Sequence, residues 1–146
     1  MNELDPAALS VLRAVAALLL LTLGMFLWMI LTRVPAMRRL RIEPEVGAHT
    51  AELRARLPSE VQRVGDNYNH LFEAPTAFYA VSLLLVVAGI ADGLSAACAW
   101  AFVALRVAHS LVHATFNNVP LRALLFALSW AALGAMIVRA AARLLL

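Results

Sequence analysis

The chain has 146 residues, of which 63% are hydrophobic and only 14% charged, and it carries a formal net charge of +3. That composition lies outside the range of soluble domains, and the length makes a single domain. All 12 basic residues are arginine; they form no aromatic-interleaved soluble face, so they read as a property of membrane loops and nucleic acid is excluded as a partner.

A helix that crosses a bilayer needs about 20 mainly apolar residues, and four such stretches with one polar segment use up the chain. Glu3 and Asp5 stand where a cleavable signal would carry positive charge, so the first apolar run reads as a retained span. It covers about residues 9–31 and is interrupted only by Arg13, which can snorkel to the nearer interface. Thr32-Arg33-Val34-Pro35 predicts its end, because proline and charge stop both helix and insertion.

The segment 33–69 is polar and basic, with Arg33, Arg38, Arg39, Arg41, Arg54, Arg56 and Arg63 set among acids and broken by Pro44, Gly47 and Pro58. It predicts a structured loop with short interfacial helices. Ser59 with Gln62 three residues on predicts a capping box, from which a helix can run to Ile90. The apolar part of that helix, residues 71–90, is the second span, and Pro75 should kink it near the interface. Ala91-Asp92-Gly93 predicts a tight turn, followed by a third span at 94–112 and a connection through Pro120. The fourth span, 123–142, continues as helix to Leu146. Cys98 is the only cysteine, so no intrachain disulfide is possible, and it reads as a small buried hydrophobe. The expected architecture is all-α: one membrane domain over 1–146, built as a four-helix bundle.

Arginine placement predicts orientation. The first and third connections share one side and hold most of the arginines, whereas Arg13, Arg139 and Arg143 lie on the other. The positive-inside rule then puts the 33–69 loop in the cytoplasm and both termini outside, in an inner (cytoplasmic) membrane.

Ionisable groups within spans are expensive, and they face a bundle interior or a wet cavity. Asp66, Asn69, His70 and Glu73 share one face of the second helix, and Arg106, His109 and His113 share one face of the third. Arg122, Phe126 and Trp130 form a stripe on the fourth. The three stripes converge on the side of the basic loop. A Glu73–Arg106 ion pair between helices would account for part of this pattern. His109, His113 and Glu73 also have the residue types of a two-His, one-carboxylate metal set, but histidines one turn apart are common by chance and no metal site is expected.

At these stripes the sequence resembles the MAPEG family, the membrane-associated proteins of eicosanoid and glutathione metabolism, as a divergent member of bacterial type. His70-Leu71-Phe72-Glu73-Ala74-Pro75 with Phe78-Tyr79 is similar to the family's N-x-x-E-x-x-P region. Arg106-Val107-Ala108-His109 with His113, and then Pro120-Leu121-Arg122, resemble its third-helix arginine and the P-x-R opening of its fourth helix. The resemblance implies a homotrimer in the bilayer that binds glutathione between subunits near the cytoplasmic face. Glutathione would be the co-substrate of a transferase or peroxidase acting on hydrophobic small molecules.

By motif position the resemblance makes Arg122 the catalytic cation that stabilises the glutathione thiolate. It places Arg63, Asn69, His70, Glu73, Arg106 and His113 in the glutathione site, with Glu73 accepting from the tripeptide's amino group. The chain departs from the family pattern at four positions. Asp66 stands where an arginine is expected, His70 where an asparagine is, and His113 and Phe126 where tyrosines are. These departures keep open a non-catalytic role on the same fold, as a membrane interaction or structural protein.

Overall fold

The computed structural model describes residues 5–145; Glu3 and Leu146 lie outside them. Asp5 opens α1 (Pro6–Arg39) by accepting from the amides of Ala7 and Ala8, and Pro6 takes a first-turn position that needs no amide donor. A 3-10 turn (Pro44–Ala48) and a short helix α2 (Thr50–Arg56) follow. Next come α3 (Ser59–His70), α4 (Ala74–Val87), α5 (Gly93–Ala114) and α6 (Val119–Leu145). Four helical stretches are long and apolar enough to cross a membrane: Pro6–Arg39, Ser59–Val87, Gly93–Ala114 and Val119–Leu145.

Three local expectations are corrected. The first helix does not stop at Pro35 but continues to Arg39. A proline inside a helix removes one backbone bond and costs about 3 kcal/mol; Pro35 is exposed, and the turns beyond it extend α1 along α3. The Ser59–Gln62 capping box does not form. Pro58 occupies the cap position, Ser59 is the first helical residue, and the Gln62 amide donates to the Leu57 carbonyl at 2.7 Å. The second span is not one kinked helix: α3 ends at His70 and a new helix starts at Ala74, with Pro75 in its first turn.

The break falls between two cores. The larger joins Val11, Ala14 and Leu18 of α1 to Phe78 and Leu85 of α4, Ala99 and Phe102 of α5, and Leu133 and Met136 of α6. Phe78 and Phe102 stack at its centre with ring centroids 4.6 Å apart. The smaller core, nearer the loop, joins Met25 and Met29 to Val64, Leu71 and Ala114. Leu71 belongs to the smaller core and Ala74 to the larger, so the chain turns where it passes from one to the other. The outer faces of α1 and α6 expose Leu20, Leu31, Leu124 and Val138, as lipid- or subunit-facing surfaces do.

Away from the loop, Asp92 ties the bundle. It caps α5 by accepting from the Ser95 amide and hydroxyl, both at 2.8 Å, and it takes ion pairs from Arg139 and Arg143 of α6. Arg143 also donates to the Ile90 carbonyl at 3.0 Å. The turn expected at Ala91-Asp92-Gly93 is therefore a clamp on the C-terminal part of α6.

Candidate functional site: a cationic pocket at the head of the last helix

At the loop side three helices contribute to one cluster. The last residue of α3 is His70, α5 brings Arg106, His109 and His113 one turn apart, and α6 brings Arg122 and Phe126. The His70 ring stacks on Phe126 with centroids 5.3 Å apart and an interplanar angle of 23°. It also lies 5.2 Å from the His109 ring and 6.2 Å from His113. An open cavity of about 200 Å³ is lined by His70, His109, Val119, Arg122, Ala123 and Phe126.

Arg122 is aimed by the turn that precedes its helix. Asn117 adopts a left-handed backbone (φ 54°), which asparagine tolerates better than most residues, and its side-chain oxygen accepts from the Arg122 guanidinium. The Asn118 side chain accepts from the Leu121 amide at 3.0 Å, which fixes the start of α6. The Arg122 Nε has no protein partner, and no carboxylate pairs with this arginine among the described residues.

Arg106 lies fully buried beside this pocket. One Nη donates to the His70 carbonyl at 3.1 Å, while its Nε and other Nη have no partner. The expected Glu73–Arg106 ion pair is absent. Glu73 pairs instead with His70, Nδ1 to Oε2 at 2.5 Å, and its side chain is 63% exposed. The helix break explains this, because a continuous helix would have turned Glu73 inward on the face of His70, whereas the turn at 71–73 carries it out. The same turn carries Glu73 away from His109 and His113, and no group of three His, Cys, Asp or Glu side chains is arranged to hold a metal among the described residues.

Of the residues expected in the site, Arg122 and His70 line the pocket, Arg106 and His113 pack against His70 or its backbone, and Glu73 reaches it through His70. Arg63 does not enter it. It donates to the Thr115 carbonyl at the end of α5 and lies 3.6 Å from Glu60. Asn69 lines a different cavity, together with Asp66. His109 was visible in the polar stripe of α5, but the lining position it occupies was not. Asn117 was missed altogether, although an Asn-Asn pair ahead of a proline-initiated helix is a turn signal.

The match to known proteins covers this arrangement. The family model of the MAPEG family matches residues 11–142, which takes in every residue of the cluster. The chain belongs to the MAPEG family. It is thus a membrane protein of a glutathione and eicosanoid metabolism family, and the four apolar helices are its bundle. No curated protein and no solved structure gives a match. Chemically, this MAPEG pocket offers the Arg122 guanidinium and the two imidazoles of His70 and His109, with Arg106 and His113 packed behind His70 and the nearby Glu73 carboxylate turned outward. Arginine stays protonated under all working conditions, so the pocket favours an anion.

Proposed function

We propose that this MAPEG protein is a glutathione-dependent transferase or peroxidase for lipophilic electrophiles. The observation that carries the reading is Arg122, a guanidinium in an open pocket with no carboxylate partner among the described residues. A thiol with a pKa near 8.5 needs a neighbouring cation to ionise at neutral pH. Arg122 would hold the resulting thiolate, whose sulfur attacks the electrophilic carbon and displaces the leaving group while the proton passes to solvent. Ligand pockets run upward from about 300 Å³, so one subunit's share of about 200 Å³ suits one end of the tripeptide. The remaining wall would come from a neighbouring subunit of a homotrimer. With the arginine-rich side in the cytoplasm, glutathione reaches the pocket from solvent and the substrate arrives through the bilayer.

A second reading, a non-catalytic MAPEG protein, is favoured by one observation. Asp66, where the family resemblance places an arginine, is an acid already paired with Arg54 at 2.7 Å. Turnover of chlorodinitrobenzene with glutathione separates the two readings. The enzyme reading predicts measurable turnover that Arg122→Ala abolishes and Arg122→Lys retains in part. A wild type without turnover or glutathione binding supports the second reading.

A further inference from the structure

A larger cavity lies on the loop side, between the end of α1, α2 and α3. Its volume is about 360 Å³, and Arg33, Thr50, Leu53, Arg54, Gln62 and Asp66 are among the residues that line it. It shares no lining residue with the Arg122 pocket. One wall is apolar, made by Leu53 and Leu57, both buried.

Arg33 is seated in this cavity in an unusual way. Its guanidinium lies against Gly65 of α3, where a Cβ would collide with it. Glycine is a poor residue for a helix interior, and here it leaves the room that the Arg33 guanidinium occupies. Yet the guanidinium finds no carboxylate there. Asp66, the next residue, gives its carboxylate to Arg54 at 2.7 Å, and Arg33 makes no ion pair among the described residues. The Arg33 Nε is buried without a partner. The cavity therefore holds two guanidinium groups against one carboxylate, with the Gln62 and Asn69 amides and the Thr50 hydroxyl as further polar groups. Arg33 stands two residues beyond Leu31, at the end of the apolar run, a position that suits the headgroup region.

We infer that this cavity is a phosphate site, with the Arg33 guanidinium as its principal ligand. Planar, multiply donating arginine is suited to phosphate oxygens. The apolar wall of Leu53 and Leu57 accommodates the ester side of the group. The phosphate comes either from an anionic phospholipid headgroup or from solution.

The test uses the full-length protein in phosphatidylcholine nanodiscs, with thermal unfolding followed by tryptophan fluorescence at matched ionic strength. Replacing part of the lipid by phosphatidylglycerol, or adding inorganic phosphate, should raise the midpoint, because a ligand of the folded state stabilises it. A rise with phosphatidylglycerol alone assigns the lipid headgroup; a rise with inorganic phosphate assigns a soluble occupant. Arg33→Gln should remove the rise. So should Thr50→Trp, which blocks the cavity from an exposed position without touching the core. Arg38→Gln, which deletes an equal charge outside the cavity, should retain it. The site is refuted by no rise with either probe, by a rise that survives Arg33→Gln or Thr50→Trp, or by an equal loss in Arg38→Gln.

Discussion

Arg106 takes its charge into the bundle without a carboxylate, and Glu73 keeps its carboxylate outside it. Both residue types and their one-turn spacings were legible in the sequence. Their pairing was not, because helical period assigns a face only while the helix is unbroken. A buried charge is tolerated when hydrogen-bonded and compensated, and Arg106 has just the His70 carbonyl. An anion bound next to it would complete the compensation, as the proposed glutathione site requires. Even an exposed ion pair contributes only about 0–1 kcal/mol, and the hydrogen bond from His70 to the solvent-facing Glu73 carboxylate is bounded by that range. Glu73→Ala should therefore lower unfolding stability by no more than about 1 kcal/mol in denaturant titration. A loss of about 3 kcal/mol or more would mark a buried pair and contradict this geometry.

At the scale of elements, two prolines behave differently under the same local rule. Pro35 lies within α1, and Pro75 opens α4 after a break. Apolar run lengths revealed four spans, since each crossing needs its own stretch of hydrophobic residues. They could not reveal that Leu71 and Ala74 belong to different cores, and this tertiary division sets where the chain turns. The α5–α6 clamp was equally hidden, because Asp92 is far in sequence from Arg139 and Arg143. The Ser95 backbone amide, the Ser95 hydroxyl and then Arg139 hold the Asp92 carboxyl down to about 2. A depressed carboxylate stabilises the fold above its unfolded value of about 3.9, and that contribution is lost as pH falls through the folded value. The melting advantage of wild type over Asp92→Ala should thus be full at neutral pH and shrink between about pH 4 and pH 2. An advantage unchanged at the acid end would show that the ionised clamp is not what stabilises the turn.

For the whole molecule, the arrangement of four helices around two cores leaves the outer faces of α1 and α6 apolar and the Arg122 pocket open on one side. In lipid such faces associate through close packing rather than through a hydrophobic drive. Gly24 and Gly134 have open space where a Cβ would stand, so neighbouring backbones can approach at both helices. Native mass spectrometry in mild detergent should find the homotrimer as the main species. Monomers and dimers alone would leave the pocket without its second wall. The family was legible from the order of its motifs along the chain, whereas the pocket required the fold. Arg122, His70 and Phe126 converge only because α3 ends where α6 begins.

The most direct measurement is the ultraviolet difference spectrum of wild-type protein titrated with glutathione at neutral pH, beside Arg122→Ala. A cation next to the sulfur lowers the thiol pKa. Wild type should therefore show saturable thiolate absorbance, and Arg122→Ala should show none. Absence of thiolate in the wild type at millimolar glutathione, or an equal signal in the variant, would contradict Arg122 as the thiol-activating cation.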